Sequence, residues 1–78
     1  MRYVVSISRK KGLSDPEGVE TARALADLGY DDVTGVNFGR TITLDLVDGS
    51  TTATTVAEMC ERLLANPVIE DFTIEALE

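Results

Sequence analysis

Seventy-eight residues must build a stable core without a cross-link, because the chain contains one cysteine and no histidine. Cys60 has no partner for an internal disulfide, and the usual Cys/His zinc sites cannot form. A domain of this size buries only about 60% of the surface that its unfolded chain exposes. Such domains are marginal unless a metal, disulfides or self-association stabilises them. The sequence therefore predicts one domain, residues 1–78, that associates with copies of itself.

The charge of the chain disfavours two kinds of partner. There are 14 acidic and 7 basic residues, which gives a formal net charge of -7. Nucleic-acid binding through phosphates requires a basic surface, and an anionic membrane surface attracts the same kind of protein. No apolar run approaches the roughly 20 residues of a membrane span, and residues 1–11 are too polar for a signal peptide. With its one unpaired cysteine, we expect a cytoplasmic protein that binds neither nucleic acid nor membrane.

The N-terminal third has the pattern of a strand followed by a helix. Alternation places Tyr3, Val5 and Ile7 on one face of a first strand, and this face is predicted to be buried. Further apolar residues recur at helical spacing and mark one face of a helix. They are Val19, Ala22, Leu25, Ala26 and Leu28. Gly29 tolerates the left-handed conformation that closes a helix, so we expect the helix to end there.

Two frames are open for the start of this helix. In the first, Asp15 is the N-cap and accepts a hydrogen bond from a free backbone N–H. Pro16 then takes the first helical position, where its missing N–H costs nothing. In the second frame, Ser14 is the cap and Glu17 is its capping-box partner. Both frames start the helix at the same turn.

Two more strands are predicted in the middle of the chain. Residues 33–38 form the first of them. The next strand is marked by apolar residues that alternate with polar ones, namely Ile42, Leu44 and Leu46. Gly39 and Arg40 lie between the two strands, which predicts a tight hairpin. A loop at residues 48–51 follows and contains candidates for a helix cap.

A second helix is predicted from apolar residues at i, i+3, i+4 and i+7. They are Ala53, Val56, Met59, Cys60, Leu63 and Leu64. Thr55 and Glu58 fit a capping box, and an earlier start near Thr52 is also open. We expect the helix to stop at Asn66, which tolerates a left-handed cap, and at Pro67, which cannot continue a helix.

Residues 68–77 form the last predicted strand, with Phe72 and Ile74 on one face. The element order is therefore β-α-β-β-α-β, without an internal repeat or a linker. Short helices and a mostly antiparallel sheet favour an α+β fold, a two-layer sandwich with both helices on one face of the sheet. The two halves share the order strand–helix–strand, which allows a ferredoxin-like topology.

The chain offers little for catalysis. It lacks histidine, the usual base near neutral pH, and Cys60 lies on the apolar face of the second helix, where a small buried hydrophobe is expected. Residues 35–41 fail as a phosphate-binding loop because the glycine spacing is short, Arg replaces Lys and a strand follows. Carboxylates such as Glu70 and Asp71 are expected on solvent faces, and no EF-hand pattern is present. We therefore expect no catalytic, cofactor-binding or metal-binding residue in the chain.

Three segments resemble the PurS family of phosphoribosylformylglycinamidine synthase. Residues 12–18 are similar to that family's Asp-Pro-x-Gly helix start. Residues 28–40 contain its Leu-Gly-aromatic turn and, at Gly39 and Arg40, the position of its Gly-Lys hairpin. Residues 60–72 are close to its Leu-Leu-Ala-Asn-Pro-x-Ile-Glu signature, which is the most specific match of the three. In order and spacing, the matches span nearly the whole chain.

The resemblance implies a division of labour among subunits. The family's enzyme is expected to use ATP, Mg and glutamine to convert formylglycinamide ribonucleotide to formylglycinamidine ribonucleotide in purine biosynthesis. A PurL-type synthetase subunit would bind ATP and substrate, and a PurQ-type glutaminase subunit would supply ammonia. The chain itself is expected to bind no cofactor and to form a homodimer or a higher homo-oligomer. It would bridge the two other subunits and support ammonia transfer.

The turns of this scaffold are the expected partner-binding positions. These are Asp15, Pro16, Gly18, Gly39, Arg40, Asn66 and Pro67. A local structural role is expected first for Pro16, Gly29 and Pro67. Arg40, which replaces the family's Lys, is the strongest candidate for a direct contact, so Arg40→Glu is expected to leave folding intact and to weaken the complex. The basic turn at residues 10–11 either keeps the chain soluble or contacts an acidic or phosphorylated partner.

Two other classes of protein share the predicted element order. A regulatory module of ACT type would bind a small molecule, such as an amino acid, at a dimer interface. An acylphosphatase would need an Arg and an Asn on a phosphate-binding loop. Arg9 and Asn37 do not lie in such a pattern, so this stand-alone enzyme is the weaker of the two alternatives.

Overall fold

The computed structural model of the chain describes residues 1–47 and 51–77 and shows an α+β fold. Its elements are, in order, β1 (Arg2–Arg9), α1 (Pro16–Asp27), β2 (Gly39–Asp45), α2 (Ala53–Met59), a π-helical turn (Cys60–Leu64) and β3 (Glu70–Leu77). The predicted fold class is confirmed, although the sheet formed by the described residues has three strands rather than four. The predicted loop at residues 48–51 lies largely outside the described residues. None of the helices in this part of the chain is long and apolar enough to cross a bilayer.

β1 lies in the centre of the sheet and pairs antiparallel with β2 on one side and with β3 on the other. Val5 stands opposite Ile42 of β2 and Ile74 of β3. Because directly opposed residues point to the same face of a sheet, the apolar residues of all three strands share one face. That face meets α2, and the buried side chains between them form the core. They are Tyr3, Val5, Ile7, Val56, Cys60 and Ala65.

α2 begins directly after Thr52, whose side-chain oxygen accepts a hydrogen bond from the Thr55 N–H at 3.4 Å. The earlier of the two predicted starts is therefore confirmed. The helix then widens into the π-helical turn, where the Ala65 N–H donates to the Cys60 carbonyl oxygen, five residues back, at 2.9 Å. The wider turn shifts the helical phase. Cys60, at the start of the wider turn, is buried as predicted, whereas Leu63, within the turn and predicted to lie in the apolar stripe, is 83% exposed.

α1 projects away from the sheet. Asp15 is its N-cap, Pro16 lies in its first turn, and Gly29 follows its end with a φ of 99°, so the first predicted frame and the predicted helix end are confirmed. Its apolar side is largely exposed, however, with Leu28 at 73%. Among the described residues α2 packs against β3, whereas α1 has no comparable packing against a strand. Among the elements described here, α2 and the π-helical turn cover the sheet and α1 does not, which corrects the prediction that both helices do.

Residues 33–38 are extended but belong to no sheet in the described part of the chain. They continue directly into β2 without a turn, and neither Gly39 nor Arg40 has the positive φ that a two-residue hairpin turn requires. The predicted second strand and the predicted tight hairpin are therefore wrong for the single chain. Gly39 has another purpose. A Cβ at this position would lie 2.5 Å from the Ile7 carbonyl oxygen, so glycine permits the close approach of β2 to β1.

The chain turns from α2 into β3 at Asn66 and Pro67, so the predicted stop of the helix is confirmed. Asn66 does not adopt the left-handed conformation predicted for it. Its backbone oxygen instead accepts hydrogen bonds from the N–H groups of Ile69 and Glu70, and its Oδ1 accepts one from the Val68 N–H at 3.1 Å. These bonds form a tight turn. β3 therefore begins at Glu70, two residues later than predicted.

Candidate functional site

Most of the predicted partner-binding residues gather at one end of the sheet. Arg40 lies at the start of β2, Asp15 caps α1, and Asn66 and Pro67 turn the chain into β3. Between these elements lies a shallow hollow of about 230 Å³, here called the corner hollow. Charged side chains of both signs border it, namely Arg9, Asp15, Glu17, Arg40 and Glu70.

Arg40 connects three parts of the fold. Its Nη1 donates to Glu70 Oε2 at 2.7 Å, and its Nη2 donates to Glu70 Oε1 at 3.1 Å and to the Leu64 carbonyl oxygen at 2.8 Å. This forked pattern requires a planar guanidinium, because a lysine ammonium offers only a point charge. The hydrogen bond to Glu70 also raises the pKa of Arg40. Arg40 therefore ties β2 to the π-helical turn and to β3.

Glu70 holds the turn at Asn66 in place. Besides its bonds to Arg40, its Oε1 accepts a hydrogen bond from the Asn66 N–H at 2.8 Å. The hydrogen bond from Arg40 and then the one from Asn66 lower the pKa of Glu70 to about 2. The carboxylate is mostly covered, and it is ionised throughout the neutral range. The backbone around Asn66 and Pro67 is thereby fixed from both sides of the turn.

Asp15 joins α1 to the segment that precedes β2. Its Oδ1 accepts a hydrogen bond from the Gly18 N–H at 3.0 Å, and its Oδ2 accepts one from the Phe38 N–H at 2.7 Å. These bonds, first that from Phe38, lower the pKa of Asp15. Gly18 is buried directly against the backbone of Val36, where a Cβ would not fit. The Asp-Pro-x-Gly sequence thus caps α1 and also holds residues 36–38 against the start of the helix.

The groups of the corner hollow are fixed rather than reactive. Asp15 and Glu70 are ionised at neutral pH and already engaged in hydrogen bonds, so neither is a general acid or base there. Burial raises the pKa of the Cys60 thiol, and its predicted role as a buried hydrophobe is confirmed. Within residues 1–47 and 51–77, no three His, Cys, Asp or Glu side chains are grouped to hold a metal ion. The corner hollow therefore presents a fixed shape and fixed charges at the surface.

The basic turn after β1 borders a second hollow. Lys10 pairs with Asp71 at 3.3 Å, and its N–H donates to the Ile69 carbonyl oxygen at 2.9 Å. These bonds connect the turn to β3, and the two roles considered for residues 10–11, solubility or contact with an acidic or phosphorylated partner, stay predictions. Arg9 and Asn37 both line the second hollow, although they are far apart in sequence.

Sequence reasoning missed Glu70, which is assigned above to a solvent face with the other carboxylates. Its position in the Asn-Pro-x-Ile-Glu motif was the signal that could have identified it. Sequence reasoning also did not identify Leu63 and Val68 as exposed apolar residues. They are 83% and 79% exposed, and they flank the turn at Asn66 and Pro67. The apolar pattern predicted Leu63 to be buried, because it assumed that α-helical spacing continues to the end of the helix. The π-helical turn changes that spacing after Met59.

Comparison with known proteins identifies the family that the chain resembles. The family model for PurS, phosphoribosylformylglycinamidine (FGAM) synthase, matches residues 2–78. The phosphoribosylformylglycinamidine synthase subunit PurS of Archaeoglobus fulgidus is 42% identical over 72 residues, which cover 90% of each chain. The match thus includes nearly every residue discussed above.

Solved structures agree with this match. The structure of Bacillus subtilis PurS is similar with a TM-score of 0.88 and 38% identity over the full length of both chains. Methanocaldococcus jannaschii PurS, described as one of the subunits of formylglycinamide ribonucleotide amidotransferase in the purine biosynthetic pathway, has a TM-score of 0.82 and 38% identity. That similarity covers 99% of this chain and 98% of the other. The comparisons give no support to the ACT-type alternative.

Proposed function

The chain belongs to the PurS family, and we propose that it is the small, non-catalytic subunit of phosphoribosylformylglycinamidine synthase in purine biosynthesis. The observation that supports this most strongly is the family match over residues 2–78, together with a similar fold over the full length of Bacillus subtilis PurS. The complete enzyme converts formylglycinamide ribonucleotide to formylglycinamidine ribonucleotide with ATP, Mg and glutamine. This chain binds none of these and acts in the cytoplasm.

The chain bridges the two subunits that carry out the chemistry. A PurL-type synthetase binds ATP and the ribonucleotide, and a PurQ-type glutaminase releases ammonia from glutamine. The role of a bridge is to fix their relative positions so that ammonia passes between them without loss to water. The charged groups of the corner hollow support this role, because they are used to stiffen backbone rather than to move protons.

The turn at Asn66 and Pro67 is the surface best suited to one of these partners. The buried centre of a protein–protein interface is more apolar than the rest of a protein's surface. Leu63 and Val68 are exposed apolar side chains, and the bonds from Glu70 and Asn66 fix the backbone beside them. Arg40, although itself exposed, supports this surface through its hydrogen bonds to Glu70 and to the Leu64 carbonyl oxygen. Arg40→Glu would place a second carboxylate beside Glu70, so it is expected to disturb folding as well as binding, which corrects the expectation from the sequence that folding stays intact.

Co-purification tests the bridging role. We expect a tagged copy of the chain to retain both the synthetase and the glutaminase from a mixture of the three subunits. Omitting the chain is expected to reduce recovery of the glutaminase with a tagged synthetase. Stable association of the two larger subunits in its absence, at the same concentrations, would contradict the proposed bridge.

Val68→Asp tests the proposed contact surface. Its side chain is exposed, and only its backbone N–H is bonded within the turn, so the variant is expected to fold and self-associate normally. A charge at this position should weaken capture of at least one larger subunit by tenfold or more, as expected for a buried apolar contact. Unchanged capture of both subunits by a folded variant would place the contact elsewhere.

A further inference from the structure

Positive charge is concentrated at one place in this acidic chain. Arg9, Lys10 and Lys11 are consecutive and make up three of the chain's seven basic residues, whereas its formal net charge is -7. Arg9 ends β1, and Lys10 and Lys11 belong to the basic turn that follows it. The second hollow, of about 340 Å³, lies beside them, and no carboxylate is among the described residues that border it. The basic turn is therefore the part of the described chain best suited to an anionic partner.

The basic turn lies beside the turn that leads into β3. β1 pairs antiparallel with β3 up to the last residue of β1. The Lys10 N–H then donates to the Ile69 carbonyl oxygen at 2.9 Å, which continues the antiparallel register one position beyond the strands. Lys11 and Val68 occupy the next position of the same register. The basic turn and the exposed Val68 therefore belong to one continuous surface.

The charge of Lys11 is not offset by an ion pair within the described part of the chain. Lys10 pairs with Asp71 at 3.3 Å, and Arg9 also borders the corner hollow, together with three carboxylates. Lys11, by contrast, is exposed and forms no ion pair with any residue of the ranges 1–47 and 51–77. A surface cation without a partner in its own chain is free to pair with a carboxylate of another protein.

Val68 and Leu63 supply the apolar part of this surface. Both side chains are mostly exposed. The backbone between them is fixed by the bonds of Glu70 and Asn66, so the two side chains keep their positions before a partner binds. Contacts that are fixed in advance lose less conformational entropy on binding. An apolar centre with polar and charged residues at its rim is the usual composition of a protein–protein interface.

We propose that Val68 and Leu63 bind an apolar hollow on one larger subunit of the synthase, and that Lys11, supported by Arg9, pairs with Asp or Glu side chains at the rim of that hollow. This inference rests on the proposed function and adds the chemistry of the partner, an apolar centre beside a group of carboxylates. The apolar contact supplies most of the affinity, because burial of apolar area is the dominant favourable effect in association. The ion pairs set the orientation and the rate of encounter.

Protein carboxylates fit this surface better than other anions do. Outside residues 9–11, the chain has 4 of its 7 basic residues against 14 acidic ones. A nucleic acid or an anionic membrane extends well beyond the roughly 8 Å over which salt screens charges, so it would meet these acidic side chains as well. A phosphate group carries nearly two charges and is best bound by several arginines, whereas residues 9–11 contain one. Single carboxylates at the rim of a hollow require only the local cations.

Association kinetics with each larger subunit test the proposal. Lys11→Glu reverses the unpaired charge, and Arg2→Glu is the matched control, since it makes the same change at an exposed position at the other end of β1. The ends of this eight-residue strand lie about 23 Å apart, which is more than two screening lengths at about 0.1 M salt. For the subunit whose capture depends on Val68, Lys11→Glu should lower the association rate constant by about fivefold or more. Arg2→Glu should lower it by less than about twofold.

Salt separates the charged part of the contact from the apolar part. In about 1 M salt, charges are screened within about 3 Å, so Lys11→Glu should associate at nearly the rate of the unaltered chain. Val68→Asp should mainly raise the dissociation rate constant, by about tenfold or more at both salt concentrations. Equal slowing by Lys11→Glu and Arg2→Glu would show that only the net charge matters. That result, or a Lys11→Glu effect that persists in high salt, would overturn the proposal.

A carbodiimide cross-link on the unaltered complex identifies the partner's charged groups. The reagent activates a carboxylate, which then forms an amide bond with a lysine amine that contacts it. Mass spectrometry should find Lys11 joined to an Asp or Glu of a larger subunit, and the Lys10–Asp71 pair, at 3.3 Å, is the internal positive control.

The remaining outcomes separate this inference from the proposed function. Lys11 joined only to its own chain, or a Lys11→Glu effect that phosphatase treatment of the larger subunit abolishes, would overturn the carboxylate partner. Capture of neither larger subunit by the unaltered chain would contradict both the proposed function and this inference. Normal capture, with Lys11→Glu associating at the unaltered rate, would overturn this inference alone.

Discussion

Gly18→Ala tests how α1 is held against the segment before β2. A Cβ at position 18 would lie 2.9 Å from the Val36 carbonyl carbon and closer still to its oxygen, whereas ordinary contact begins at 3.4 Å. The obstacle is backbone and cannot rotate away. Residues 36–38 would have to move, and the hydrogen bond from the Phe38 N–H to Asp15 would be strained.

The expected magnitude follows from two opposing effects. Overpacking of this kind costs about 1–3 kcal/mol. Alanine is better than glycine inside a helix by about 0.5–1 kcal/mol. Because the obstacle is backbone, the clash falls in the upper part of this range, about 2–3 kcal/mol, and Gly18→Ala should lower the free energy of unfolding by about 1–2.5 kcal/mol. In an isolated helix Gly→Ala would be stabilising. A loss of stability would therefore show that the Cβ at position 18 clashes with Val36.

Gly35→Ala is the matched control, because nothing lies within 4 Å of a Cβ at that position and its φ is not positive. It should leave stability unchanged or raise it by up to about 1 kcal/mol, since alanine restricts the unfolded chain. Both variants are unfolded in urea at one protomer concentration and followed by circular dichroism, because self-association makes stability depend on concentration. A Gly18→Ala variant as stable as Gly35→Ala would refute the close packing of Gly18 against the Val36 backbone.

Further predictions concern the core and the corner hollow. Val56→Ala removes two fully buried methyl groups and should cost about 2–3 kcal/mol in urea unfolding, whereas Leu63→Ala, at an exposed position, should change stability by less than about 0.5 kcal/mol. Because the hydrogen bonds from Arg40 and then from Asn66 lower the folded pKa of Glu70 to about 2 from 4.5, the ionised carboxylate stabilises the fold above about pH 4.5 and loses this effect as the pH falls through 2. Melting temperatures of the unaltered chain and Glu70→Gln should therefore differ at pH 7 and converge near pH 2, and a pH-independent difference would contradict the assignment.

Much of the fold could be predicted because it depends on local pattern. The alternation of Tyr3, Val5 and Ile7 marks the buried centre of the sheet, and Asp15 and Gly29 mark the ends of α1. These signals are local, since a strand face and a helix cap are set by a few neighbouring residues.

The failures have a different origin. Residues 33–38 have the composition of a strand, but a strand needs a neighbour, and no pattern within one chain says whether that neighbour is the same chain or another. Gly39 was assigned to a hairpin because a turn and a close approach between strands both favour glycine. Glu70 looked like an ordinary surface acid because its partner Arg40 is thirty residues away in sequence. The spacing of apolar residues along the sequence gives no information about an ion pair between residues that are far apart in the chain.

The most direct test of a non-catalytic bridging role compares two ammonia sources in the reconstituted enzyme. Product formation from glutamine should rise as the chain is added to fixed amounts of synthetase and glutaminase, and should level off at a fixed stoichiometry. Product formation from added ammonium salt should need only the synthetase and should not change with the chain. A full glutamine-dependent rate without the chain, or turnover of formylglycinamide ribonucleotide by the chain alone, would contradict the role proposed for it.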